Sequence, residues 1–301
     1  MLDADRTPKP PARPFWFVFG VLIFHQVISA CAFPFAKIGL NQLDPLVYAF
    51  FRFVISSAIY IPVLYWQNRK SKIARHDHLK FLGIGLLLIP INQLVFLIGQ
   101  SLTSAGHSSL LFATTPVFIY ILAIFFLKEK ASARRAFGII IALGGVYIIL
   151  SGGNIRFGRE YVLGDLLVLV AVIAWAAATV MGKPLASRYG AFRVTGSALV
   201  YGSLVYLPFG LFFALRADYG AVNWQGWFSV GYMAIVISAG AYVLWYWVLK
   251  YLEASRAAIM QNIQPIVATA VAAVLLSEPI TGSLILGGAI VIGGVILTEI
   301  R

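Results

Sequence analysis

The chain has one cysteine, Cys31, in 301 residues, so it can form no internal disulfide and build no cysteine-rich metal site. Charge is scarce as well: Asp, Glu, Lys and Arg make up 11% of the residues, against about 25% in a soluble domain. Several enzymatic signatures are missing. There is no Gly-x-Ser-x-Gly elbow to present a nucleophile and no His-Glu-x-x-His zinc pair, and no phosphate loop of the GKS or GKT type, which removes ATP as a direct energy source. No cofactor is implied.

What the chain has instead is apolar length. Hydrophobic residues are 60% of the total, and stretches of transmembrane length recur throughout, since about 20 such residues cross ~30 Å of hydrocarbon. The spans read as 16–36, 46–66, 81–99, 107–127, 136–151, 163–183, 194–215, 227–249, 258–277 and 283–299. This is the pattern of an all-α integral membrane protein with ten transmembrane helices. No intervening segment is long enough for a soluble domain. Residues 1–14, with four prolines and mixed charge, read as a disordered cytoplasmic arm. "ISAC" at Ile28–Cys31 resembles a lipoprotein cleavage box, but the apolar run continues past Cys31 to spanning length, which favours a helix.

The formal net charge of +12 raises nucleic acid as a partner, and the placement of the charges rejects it. With the N-terminus inside, inner segments carry eighteen Lys and Arg and outer loops four, Lys37, Arg156, Arg159 and Arg216. The positive-inside rule then places both termini in the cytoplasm, in the inner (plasma) membrane of a cell. Trp16, Trp66, Trp224 and Trp227 fall near span ends, as interfacial anchors do. The expected partners are the lipid bilayer and a small-molecule solute; no ATPase subunit is implied, and monomer and dimer are both open.

An internal repeat organises the rest. "PVFIYILAIFFLKE" at Pro116 returns 149 residues later as "PIVATAVAAVLLSE" at Pro265, and residues 116–146 align with 265–295 without a gap at nine identities in 31, including Pro116/Pro265, Glu129/Glu278 and three glycine pairs. The front halves agree at an offset of 146, with Lys37/Lys183 and Pro62/Pro208. Two units of five helices follow, 15–151 and 163–301, joined by an outer linker at 152–162. Because five is odd, the second unit enters from the opposite side, which makes the repeats inverted. Inverted repeats are the usual construction of secondary transporters, with solute bound near the midplane between the halves.

The two segments "SLTSAGHSSLLFATTPVFIYILAIFFLKEKASARRAFGIIIALGGVYIIL" and "YLEASRAAIMQNIQPIVATAVAAVLLSEPITGSLILGGAIVIGGVILTEI", with "AFPFAKIGL" and "DPLVYAFFRFVISSAIYIPVLY", resemble the EamA-type domain of the drug/metabolite transporter superfamily over nearly the whole chain. The resemblance implies a ten-helix carrier of small metabolites, more often an exporter, whose cavity is lined by the third, fourth, eighth and ninth helices with help from the first and sixth. "ISACAF" departs from it where the family often has a Trp-Gly pair, and Trp175 stands without the glycine.

Polarity inside the spans nominates the site, because a polar group facing lipid is costly. Ser108, Phe112 and Thr115 share a face, and their counterparts at the offset of 149 are Ala257, Gln261 and Gln264, with Asn262 adjacent. Gln93 and Phe96 correspond to Tyr242 and Trp245; Asn92 and Trp175 join this set. Each is a cavity candidate or, alternatively, an interhelical packing or hydrogen-bonding group. Arg52, about two turns into the second span, either binds a substrate carboxylate, or snorkels outward or pairs with an outer-side carboxylate such as Asp165. None of the eleven acidic residues lies mid-helix, which argues against the carboxylate-driven proton antiport of the superfamily's four-helix members. His25 and His107 remain as groups for proton coupling, or as packed neutral imidazoles. Pro116 and Pro265 read as structural kinks. Glu129 and Glu278 read as helix-end carboxylates that hold nearby basic groups or backbone donors, with Lys128, Lys130, Arg134 and Arg135 as the basic neighbours of Glu129. The expected activity is secondary active transport of an amino-acid-like or aromatic metabolite; a membrane-embedded enzyme, sensor or scaffold is the alternative.

Overall fold

A computed structural model describes residues 13–103, 108, 111–151, 162–267 and 282–299. Every regular element among the described residues is helical. They form ten rods: α1 Phe15–Leu40, α2 Pro45–Lys70, α3 Arg75–Leu102, α4 Thr115–Leu127, α5 Ala133–Ser151, α6 Val162–Tyr189, α7 Ala191–Ala214, α8 Trp224–Val248, α9 Ala254–Ile259 continued by the tighter turn Met260–Ile263, and α10 Gly282–Glu299. Six of them, α1, α2, α3, α6, α7 and α8, are long and apolar enough to cross a bilayer, and Leu111–Leu127 and Ile285–Leu297 are shorter apolar helices. The chain is thus a multi-pass membrane protein.

Local chemistry sets the ends of these rods. Asp44 caps α2, its Oδ1 accepting from Leu46 N–H at 2.8 Å, and Pro45 takes the first helical position, where its missing N–H costs nothing. Asn223 caps α8 by accepting from the N–H of Gln225 and Gly226. α6 turns directly into α7 at Gly190, whose φ of 88° a side chain would resist.

Several rods are broken where the sequence reading treats them as continuous. α1 is interrupted by a turn at Cys31, three residues before Pro34, which cannot donate to the carbonyl of Ala30. In the fourth span a turn at Thr114 separates residues 111–113 from α4, so Pro116 sits in the first turn of a helix rather than kinking its middle. The matching place in α9 is the tightened turn Met260–Ile263 just ahead of Pro265. α3 and α8 each contain a π-helical stretch, Leu87–Leu94 around Pro90 and Tyr232–Ala241, and the two overlap at the offset of 149. Such widened turns are frequent at functional sites.

The halves meet through their own equivalents. A Cβ on Gly145 of α5 would lie 2.6 Å from Gly287 O of α10, and one on Gly294 would lie 2.7 Å from Gly138 O. Gly138/Gly287 and Gly145/Gly294 are equivalent pairs. The contact is therefore reciprocal, and since residue 145 meets 287 while 138 meets 294, the equivalent helices run antiparallel. α2 and α7 repeat this arrangement at the offset of 146: Ser57 Oγ donates to Ser203 Oγ at 2.9 Å, with Tyr60 against Gly196 and Phe50 beside Gly210. A pseudo-twofold axis relating inverted halves accounts for both pairs of contacts. In lipid there is no hydrophobic force between helices, so close backbone approach through small residues supplies the packing.

Trp16, Trp66 and Trp224 are 77%, 57% and 72% exposed, as anchors at rod ends should be, whereas Trp227 is packed edge-on against Phe51 at 5.0 Å. At the end of the bundle that carries most of the basic loops, Asp77 accepts from Lys80, Arg188 and Tyr189 at 2.7, 2.9 and 2.7 Å, tying the start of α3 to the end of α6.

Candidate functional site

A cavity of about 80 Å³ lies where α1, α3, α6, α8 and α9 converge with the residues preceding α4. Of the residues nominated by polarity, Gln93, Phe96, Phe112, Trp175, Tyr242, Gln261 and Gln264 line it, as does His25. Ser29, Ala32, Phe33, Met233 and Ile237 complete the wall. Both halves contribute, in equivalent pairs: Gln93 with Tyr242, Phe112 with Gln261, and Ser29 with Trp175. The π-helical turns pass through the wall, since Gln93 comes from one and Met233 and Ile237 from the other.

One side is aromatic. Phe33, Phe96 and Phe112 meet edge-to-face, with Phe96 and Phe112 centroids 5.0 Å apart and Phe33 5.9 Å from Phe112. The ring of Trp175 lies 5.2 Å from Tyr242 and 6.1 Å from Trp245. Trp245 stands one layer back, fully buried, its Nε1–H donating to Thr179 Oγ1 at 3.1 Å while its indole stacks on His25 at 5.4 Å. The other side is amide. Gln264 Nε2 donates to Gln26 Oε1 at 2.7 Å, clipping α9 to α1, and Gln93 donates to Asn92 Oδ1, whose own Nδ2 donates to Ala171 O at 2.7 Å. His25 Nε2 pairs with Ser29 Oγ at 3.4 Å, and no described partner meets its Nδ1.

Other nominated residues stand outside the wall. Thr115 turns its hydroxyl back to Phe112 O at 2.5 Å. Ser108 and Asn262 are fully buried, with side-chain polar atoms that meet no partner among the described residues. His107 and Glu278 lie outside the described residues. Arg52 is buried and its Nε donates to Ser238 Oγ at 2.9 Å; the pairing with Asp165 does not form, and Asp165 instead accepts from Thr103 at 2.7 Å.

Glu129 holds a basic group and backbone donors, as a helix-end carboxylate does, but the partners come from α6 and α9. Its carboxylate turns away from the adjacent basic run and takes Lys183 Nζ at 3.2 Å, Ala254 N–H at 2.7 Å, Ser255 N–H at 3.3 Å and Ser255 O–H at 2.6 Å. It thereby caps α9 from a distance, because Glu253 at the cap position makes no such bond, and places negative charge at that helix's positive end. Burial pushes the carboxyl upward, but Lys183 and the donors of Ser255 and Ala254 outweigh it and hold the group below the usual carboxylate range. Arg135 reinforces the joint by bridging Glu253 and Ser255.

The sequence profile of the EamA-like transporter family matches residues 16–151 and again 162–300. The chain belongs to that family. A transporter of Archaeoglobus fulgidus, described only as an uncharacterized transporter, is 29% identical over 285 residues, covering 93% of this chain and 96% of that one. The uncharacterized transporter YetK of Bacillus subtilis is 29% identical over 268 residues, covering 88% and 81%. A solved crystal structure superposes with a TM-score of 0.74 at 17% identity, over 94% of this chain and 95% of that one, a likeness of fold. Membership makes this EamA-like chain a membrane transporter.

Of the residues that line the cavity, polarity within spans nominates the amides and Trp175 but not Ser29, Ala32, Phe33, Met233 and Ile237. Four of these are apolar residues in apolar runs, where neither charge nor period separates a cavity wall from a lipid-facing side. Gln26 carried the same signal as Gln93 and could have been found by it.

Proposed function

We propose that this EamA-like protein is a secondary active transporter that exports a small amino-acid-like or aromatic metabolite across the plasma membrane by alternating access. In this reading ten spans cross the bilayer as two five-helix units, residues 15–151 and 163–301, with both termini in the cytoplasm. The observation that carries it is the cavity between inverted halves, walled by equivalent residues from each. A site on the pseudo-twofold axis is reachable from either side when the halves exchange conformations, which is the geometry that alternating access needs. The π-helical turns in α3 and α8 supply places where each half can bend at the wall. Export, rather than uptake, rests on family resemblance.

The volume limits the cargo in the described conformation. At about 80 Å³ the cavity is well below the ~300–1,000 Å³ of drug-sized sites, so the walls part for anything beyond a compact solute. Aromatic faces on one side and amides on the other suit a solute with an apolar body and a polar end. Reconstitution into liposomes preloaded with a metabolite panel tests the reading by solute exchange. Accumulation of a chemically altered product with no net exchange would favour the enzyme alternative instead.

A further inference from the structure

Arg52 is the one arginine within a sequence-defined span, about two turns from the start of α2, and it is fully buried. Its guanidinium has five N–H donors. Nε uses one, donating to Ser238, and Cζ lies 5.4 Å from the Phe53 ring centroid. Among the described residues Nη1 and Nη2 have no hydrogen-bond partner, and no carboxylate lies within ion-pair distance of them. A buried cation held this way is expensive, because its lost hydration is repaid only by a well-placed anion or by acceptors for every donor.

Two neighbours connect this charge to the cavity. Ser238 follows Ile237, which is part of the wall. Tyr242, four residues beyond Ser238 and so about one turn along α8, is part of the wall too, and its buried hydroxyl meets no hydrogen-bond partner among the described residues. Arg52 does not itself line the cavity: its four unmet N–H donors stand behind the wall, joined through Ser238 to the stretch of α8 that supplies Ile237 and the buried hydroxyl of Tyr242 to a pocket otherwise walled by aromatic rings and amides. A carboxylate is the group that fits them: two oxygens for the planar fork and for the phenol, and a negative charge for the guanidinium. A neutral or cationic head would leave the cation unpaired.

Building on the transporter reading, we infer that Arg52 and Tyr242 form the anion-recognising end of the solute cavity, so that the cargo is a small organic carboxylate with an apolar or aromatic body. Tyr242 is the inner contact and Arg52 the charge behind it. Arg52→Lys keeps the charge but loses the fork, and therefore binds carboxylates more weakly without losing the preference for them.

The test is a thermal-shift comparison on the purified full-length protein, using phenylacetate and isovalerate against their neutral isosteres, phenylacetamide and isovaleramide. The acids raise the apparent Tm and the amides do not. Arg52→Gln weakens the apparent affinity for the acids at least about tenfold, as loss of a charge-assisted hydrogen bond does. Tyr242→Phe weakens it by a smaller factor, and if Arg52→Gln does not fold, Arg52→Lys and Tyr242→Phe carry the comparison. Equal shifts from acids and amides, no shift from either acid, or an acid shift unchanged in these variants overturns the assignment. Liposome exchange keeps this separate from the functional reading. Acid binding without exchange of any solute rejects transport and leaves the site standing; exchange of neutral solutes alone, indifferent to Arg52, does the reverse.

Discussion

Replacing Glu129 with glutamine leaves its size but removes the charge that joins three parts of the bundle. The Glu129 side chain is 7% exposed and that of its partner Lys183 19%, so solvent screens the pair only weakly. Stripping one member of a buried ion pair costs about 3–5 kcal/mol, because the other is left buried without compensation. Lys183 retains Leu252 O as an acceptor at 2.8 Å, and the single amide oxygen that remains can still accept from Ala254 or from Ser255, though not from both, so the lower end applies, about 3 kcal/mol. At roughly 2 °C per kcal/mol for a chain of this size, the apparent Tm falls by about 6 °C. Melting followed by tryptophan fluorescence at one fixed scan rate reads it, since membrane proteins often unfold irreversibly. The double variant Glu129→Gln with Lys183→Met recovers most of the loss, because the orphaned ammonium is gone. The pH dependence has a definite sign. A carboxyl held below its unfolded value contributes stability that is present above about pH 4.3 and is lost as pH falls through its lower folded pKa. Wild type therefore loses more Tm than Glu129→Gln on acidification below about pH 4.3. A single variant as stable as wild type, a double variant no better than the single, or parallel acid profiles would each refute this account of the joint.

The glycine contacts offer a neighbour-controlled comparison: Gly145→Ala drives a methyl to 2.6 Å from Gly287 O and costs ~1–3 kcal/mol, whereas Gly144→Ala meets nothing within 4 Å and leaves the Tm unchanged or raised. Equal melting of the two would remove the close α5–α10 packing. A double-mutant cycle on Ser57→Ala and Ser203→Ala gives a coupling of ~0.6 kcal/mol, the average for interhelical hydrogen bonds in a bilayer, and zero coupling would deny their contact across the axis. Trp175→Ala removes the ring beside Tyr242 and Trp245, costs ~3–5 kcal/mol, and widens the solute range measured by exchange; an unchanged range would place Trp175 outside the site.

How much of this was written plainly in the sequence depends on the kind of residue. Six of the membrane spans and the repeat were legible because they rest on long apolar runs and on rare matches such as Pro116/Pro265 and Gly145/Gly294, which survive without any knowledge of packing. Gln93, Trp175, Gln261 and Gln264 were legible as polar or amphipathic groups in a solvent that penalises them. Partners were not. Glu129 has four cationic neighbours within six residues in sequence, and sequence proximity favours them; the folded chain instead brings Lys183 and the start of α9 to it, 54 and 125 residues away. Phe33 and Met233 gave no sign, because a cavity wall and a lipid-facing wall draw on the same apolar residues. The break at Thr114 was hidden too, since apolar content continues across it and only backbone geometry reveals the turn.

The measurement that tests the central claim most directly is solute exchange in proteoliposomes by wild type and by Ala32→Trp, which fills the cavity between the halves, with the Tm of each recorded. The account predicts that wild type exchanges at least one small metabolite and that Ala32→Trp, still folded, exchanges none. Exchange by Ala32→Trp at the wild-type rate, or none by wild type across the panel, would contradict it.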